Sequence, residues 1–230
     1  MNVKTNSEYY FRKKDDFPFP EIFDVKNVWE ILGKKDEILR KIMIEKTIEF
    51  DNCIIKGPVF IGEGTEIRPF TCIIAGKNSP VYIGKNCKIG PHAYIRNSVI
   101  IGDNVEIGRT EVKGSVILNG TKSMHHGYIG DSVIGREVNI ATSFDSGNLK
   151  HTGSNVRVCG IETGRRKLGA IIGDYCKMAC KTTLYPGCLI GPNVWTDEGS
   201  VIKGFVPENT FLKMSIKYKM EALKEEYRKE

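Results

Sequence analysis

An isoleucine, or a near equivalent, returns every six residues through the middle of this chain, often with glycine after it. One unbroken series is Ile83-Gly84, Ile89-Gly90, Ile95, Ile101-Gly102 and Ile107-Gly108. A second is Ile172-Gly173, Met178-Ala179, Leu184, Ile190-Gly191, Thr196 and Ile202. Ile61, Ile67 and Ile73 precede both, and Ile134-Gly135 with Ile140-Ala141 lies between them. Four positions after an anchor comes a small or β-branched residue: Thr65, Thr71, Cys87, Ala93, Val99, Val105, Cys176, Thr182, Cys188 and Val194. A six-residue unit is too short for a helix and too regular for ordinary strands. It suits a short strand and a tight turn, with glycine supplying backbone freedom. Stacked turns then bury a column of Ile, Val and Leu and pair their backbones in parallel. The repeat therefore predicts an all-β parallel helix over residues 51–212.

The ends read differently. Residues 1–50 form a polar, aromatic-rich leader and then a stretch from Asp24 to Lys46. Val28, Leu32, Ile38, Leu39 and Ile42 fall there at roughly helical spacing, broken by Gly33, which predicts one or two short helices. Residues 213–230 predict a C-terminal helix opening at Ser215, with Ile216, Met220, Leu223 and Tyr227 on one face. No apolar run approaches the ~20 residues that cross a bilayer, and the leader lacks the apolar stretch of a secretory signal. These features predict a cytoplasmic protein with no membrane partner. The net charge of +6 is modest for a nucleic-acid binder but suits anionic small molecules. The seven cysteines follow no zinc-site spacing and read as reduced thiols filling small inward slots.

Two stretches violate the period, Lys113 to Tyr128 and Ser143 to Ala170, and between them they hold His125, His126 and His151. His92 lies in the regular repeat. Departures from a repeat scaffold are where sites are usually built.

The pattern [LIV]-G-x-x-[STAV]-x resembles that of the left-handed β-helix acyltransferases, in which three hexapeptides make one triangular coil. That resemblance implies left-handed coils, a homotrimer, and active sites in the clefts between prisms. The step from His125 through Tyr128, Gly130 and Asp131 to Gly135, then Val138-Asn139-Ile140 and an insertion, is similar to the acetyltransferase domain of bifunctional N-acetylglucosamine-1-phosphate uridyltransferases. The run Gly164-Arg165-Arg166-Lys167-Leu168-Gly169 looks closer still to the archaeal-type sugar-1-phosphate nucleotidylyltransferase/acetyltransferases. The match spans about residues 25 to 210. No G-x-G-T-R-type loop precedes the helical stretch, so the expectation is an acetyltransferase unit without a nucleotidyltransferase domain.

Carried over residue by residue, the resemblance makes His125 the general base and Glu111 the carboxylate that orients it. An amine is protonated in solution, and imidazole is the side chain suited to accept its proton near neutral pH. Adjacent His126 is an alternative. Lys113 and, across a one-residue gap, Arg96 match the cations that hold a sugar phosphate, joined by the hydroxyl of Tyr128. Asn139 and Asn148 match two amides that hold the amino-sugar. The family's next lysine has no counterpart, since Lys150 is too early and Ser154 occupies the simple offset. Acetyl-CoA, the implied cosubstrate, would run past Thr142, Cys180 and Glu198, where the family has small residues, with its phosphates near Arg165, Arg166 and Lys167. The implied reaction is acetyl transfer from acetyl-CoA to the amine of a hexosamine 1-phosphate, with no metal.

Two other classes fit parts of the pattern. A non-catalytic or regulatory β-helix subunit would share the repeat without the reaction. A zinc carbonic anhydrase on this scaffold needs three converging histidines. His92, His125 and His126 lack that family's His-x4-His step, and the asparagines and lysine would go unexplained.

Overall fold

Three parallel sheets of eight strands each form the sides of a triangular column in the computed structural model. It describes residues 3–41, 50–215, 217, 219–222 and 224–228. The chain passes from first to second to third sheet in every coil, beginning with strands Ile54–Lys56, Val59–Ile61 and Glu66–Ile67. The last strand is Phe211–Leu212. Each strand pairs with its counterpart one coil on, as Val81 does with Val99 and Lys88 with Glu106, eighteen residues later. This is the parallel β-helix that the repeat predicted, with the left hand that the resemblance implied.

The anchors line the interior. Ile83, Ile89, Ile95, Ile101, Ile107, Ile134, Ile172, Leu184 and Ile190 are fully buried. The small residues four places on fill the corners: Thr71, Cys87, Ala93, Val99, Val105, Cys176, Thr182, Cys188 and Val194 are buried, and Thr65 is half-buried. Their hydroxyls find turn carbonyls, as Thr71 Oγ1 does with Arg68 O at 2.7 Å, so no polar cost accrues. Burial pushes the Cys176 and Cys188 thiols up to about 12 and raises that of Cys87. In native protein at pH 8, an aromatic disulfide reagent is therefore expected to leave these three unmodified while exposed Cys159 reacts. Mass mapping of the adducts checks this, and denaturant should release all seven.

The first departure from the period is not a loop. Val116–Ile117 and Lys122–Ser123 continue the coil. Two sides are instead one residue short, from Ile107 to Val112 and from Val112 to Ile117, so Tyr94 pairs with Glu111 and Glu111 with Tyr128, seventeen residues on each time. Ser123 takes the inward anchor slot, held by Thr110 Oγ1 at 3.0 Å, and that polar residue masks the repeat. The second departure is an excursion, leaving after Phe144–Ser146 and returning at Ala170–Ile172. It carries a short antiparallel hairpin, Arg157–Val158 with Ile161–Glu162.

The outer face of the second sheet is covered. Ile100, Val116, Val133, Ile171 and Leu189 point away from the column yet are buried against Tyr10, Phe11, Phe23, Val28, Trp29, Leu32 and Leu39 of the leader. A second core results, which the excursion completes with Val156, Val158 and Leu168. The expected helices are the 3-10 turn Val28–Glu30 and the α-helix Ile31–Lys41, and Gly33 lies inside the helix rather than breaking it. Ile42 lies outside the described residues.

The expected C-terminal helix falls partly outside the described residues. The described residues of 213–228 hold only the 3-10 turn Glu225–Tyr227, and Ile216 and Leu223 lie outside the described residues. Met220 is 91% exposed, and a helix this short needs a packing surface to be stable. Among the described residues no helix is long and apolar enough to cross a membrane.

Candidate active site

The outer face of the first sheet gathers four of the candidate residues, Arg96, Glu111, Lys113 and Tyr128. Strands Tyr94–Arg96, Thr110–Lys113 and Gly127–Gly130 lie side by side. Side chains alternate along a strand, so burying Ile95, Val112 and Ile129 turns their neighbours outward. Glu111 then stands between Tyr94 and Tyr128, and Lys113 between Arg96 and Gly130.

These residues pair closely. Arg96 donates to Glu111 Oε1 from Nε (2.9 Å) and Nη2 (2.6 Å). Lys113 Nζ lies 2.9 and 2.7 Å from the two carboxylate oxygens of Asp131. Asn148 Nδ2 reaches Tyr128 Oη at 2.9 Å and Asp131 Oδ2 at 2.5 Å. The Tyr128 ring lies across Gly130, where any β-carbon would overlap it. Burial, aided by the charges of Asp131 and Glu111, raises the Tyr128 phenol above its usual range. It therefore stays neutral at pH 7, with its proton available to donate to an anion.

His125 and His126 sit in the turn that enters Gly127–Gly130, both exposed. The turn is held through its backbone: Thr110 Oγ1 donates to His125 O at 2.7 Å and Ser143 N to His126 O at 2.6 Å. In the neighbouring shortened coil, a β-carbon at Gly108 would overlap the Met124 carbonyl, so the chains approach there unusually closely. Neither imidazole has a hydrogen-bond partner among the described residues. Thr142 and Cys180 occupy the same corner in the next two coils, each two residues past the ladder partners Ile140 and Met178, as His125 is past Ser123.

Three expectations are not met within one chain. Glu111 is engaged by Arg96 rather than by His125. Asn139 projects from the third sheet, between Lys122 and Lys177, a different face from Tyr128 and Asn148. The basic run is divided: Arg166 and Lys167 are exposed, but Arg165 turns to the leader helix, its Nη1 3.8 Å from where a β-carbon would stand on Gly33. Arg165 Nε is buried with no partner among the described residues. Sequence reasoning assigned no role to Asp131, which joins Lys113 to Asn148. Its signal is its place one coil after Gly114, at the end of the same strand position as Lys113. Among the described residues no three His, Cys, Asp or Glu side chains come together as a metal site would need.

A family model described as the GMPPB C-terminal domain matches residues 77–160. The Bifunctional protein GlmU of Methanocaldococcus jannaschii is 35% identical over 196 residues, covering 82% of this chain and 47% of that protein. The bifunctional sugar-1-phosphate nucleotidylyltransferase/acetyltransferase of Sulfurisphaera tokodaii is 36% identical over 198 residues, covering 83% of this chain and 48% of that protein. The chain is homologous to part of these bifunctional proteins. It spans about half the length of the curated relatives it matches. The resemblance drawn from the step at His125 and the run at Arg165 is thus borne out by identity across most of the chain. Among solved structures, a hexapeptide transferase family protein from Anaplasma phagocytophilum aligns at a TM-score of 0.34 and 19% identity, over 71% of this chain and 80% of that one.

Proposed function

We propose that the protein is an N-acetyltransferase that moves an acetyl group from acetyl-CoA to the amine of an amino-sugar phosphate. The observation that carries this reading is the outward cluster of Arg96, Lys113, Tyr128 and Asn148, one corner away from an exposed imidazole with no partner among the described residues. The cations and the neutral phenol suit a phosphate, and Asn148 suits a sugar hydroxyl. His125 takes a proton from the ammonium. The freed nitrogen then attacks the thioester carbonyl, a C–N bond forms, and the C–S bond breaks. CoA leaves as thiolate and takes up a proton. Thr142 and Cys180, in line with His125, offer a path for the pantetheine arm, and Arg166 and Lys167 are exposed to meet its phosphates.

A homotrimer belongs to the same reading. The leader covers the second sheet, and His125 and His126 at the corner between the third and first sheets are exposed among the described residues. Asn139 faces out from the third sheet and would serve a neighbour's site, and a neighbour could supply the carboxylate that His125 lacks.

The test is thiol release from acetyl-CoA against a panel of amino-sugars with and without phosphate. Turnover is expected with an amino-sugar phosphate, from a particle of trimer mass by light scattering. Absence of turnover across the panel would sink the reaction, and a monomer would sink the shared cleft.

A further inference from the structure

Helix Ile31–Lys41 carries a lysine into the protein interior. Lys35 is 2% exposed, and its ammonium enters the corner between the first and second sheets. It donates to Ser98 O at 2.5 Å, Ser98 Oγ at 3.1 Å and Gly114 O at 3.1 Å, and pairs with Asp36 at 2.9 Å. The Asp36 carboxylate also accepts from the Ser98 hydroxyl. Burying an ammonium is costly, and an apolar side chain of similar volume would commonly stabilise such a position at least as well. The charge therefore calls for an explanation beyond packing.

Its acceptors supply one. Ser98 stands two residues after Arg96, and Gly114 directly follows Lys113. One ammonium thus ties together the ends of the two strands that present the cationic pair. Burial lowers the Lys35 pKa, and the charges of Asp36 and then of Asp131, in the next turn of the same corner, oppose that shift. Asp131 is also the carboxylate that Lys113 must leave, or share, to grip an anion.

We propose that Lys35 is a positioning residue for anion binding. It fixes Arg96 beside Lys113, and it steadies Asp131 when Lys113 turns to a phosphate. This rests on reading Lys113 and Arg96 as the phosphate grip, and it makes the leader helix a part of the site.

The experiment compares the full chain with its Lys35→Met and Asp36→Asn variants, the second leaving the buried ammonium in place with a weaker partner. Calorimetry gives Kd for a hexosamine 1-phosphate and for the same amino-sugar lacking phosphate. Lys35→Met should weaken the phosphorylated ligand about tenfold, the order expected when binding groups are displaced by a fraction of an ångström. The unphosphorylated sugar should bind as before, and Asp36→Asn should shift the ratio the same way by less. Should Lys35→Met fail to fold, Asp36→Asn still decides. Equal weakening of both ligands would mean a merely structural role and overturns the proposal. A wild-type protein that prefers the phosphorylated sugar, with variants that keep that preference, overturns Lys35 alone. A wild-type protein indifferent to phosphate overturns the reading of the grip itself.

Discussion

Replacing His125 with alanine is expected to lower kcat about 10²- to 10⁴-fold, the usual contribution of a positioned acid–base group. On the proposed reaction, the particle mass and the KM for the amino-sugar phosphate should be little changed. The expectation has three parts. The acceptor amine is unreactive until it loses a proton. Among the described residues the imidazole at this corner is uncommitted, and the residue is held through its backbone carbonyl. The turn is anchored by Thr110, so truncating the side chain leaves the path of the backbone intact. His126→Ala is the control, because the two residues share exposure, turn and sequence neighbourhood. It should keep turnover within about threefold, an energy of well under 1 kcal/mol. Added imidazole should restore part of the rate to His125→Ala and none to a Lys113→Ala protein, whose defect would be in binding. If His126→Ala is the inactive variant, the two roles exchange. If neither matters, the corner is not the base.

Much of this architecture is legible in the sequence because the coil is so short that every sixth residue must face inward. The positions of Ile83 through Ile107 and of Ile172 through Ile202 leave no other periodic solution. Ser123 hides one turn because a single hydroxyl, satisfied by Thr110, stands in an anchor slot. Lys113, Tyr128 and Asn148 are reachable through the family resemblance, and the ladder with the excursion brings them to one cluster. What escapes is tertiary. Asp131 and Lys35 are unremarkable carboxylate and lysine letters until the corner brings them beside Lys113 and Gly114. Asn139 looks like a companion of Asn148 in the linear chain, but a turn of the coil separates their faces.

The second core was also written in the sequence, though in a place that periodicity does not examine. Ile100, Val116, Val133, Ile171 and Leu189 fill outward slots of one sheet, which solvent-facing strands would give to polar residues. The leader that covers them straps the column from end to end. Its Trp29 is 2% exposed, Arg12 N reaches Asp174 Oδ2 at 3.0 Å, and Tyr9 Oη accepts from Glu208 N at 2.8 Å in the last coil. Trp29→Ala should therefore cost about 3–5 kcal/mol, the range for truncating a large buried aromatic. The chain has two tryptophans. In this variant Trp195, 44% exposed on the third sheet, becomes the sole fluorescent reporter of the coils. Repeat columns can unfold in pieces, since each coil contacts only its neighbours. A leader that merely decorates the surface would leave the Trp195 transition where it was. A leader that belongs to the cooperative unit will move that transition to lower denaturant with its slope unchanged. Trp195→Ala is the companion measurement. Its ring rests on Lys177 at 4.1 Å and on Phe211, exposed contacts worth about 1 kcal/mol or less, so Trp29 fluorescence should report nearly native stability. An unmoved Trp195 midpoint in Trp29→Ala would separate leader from column, and would remove the scaffold through which Lys35 reaches the strands of Arg96 and Lys113.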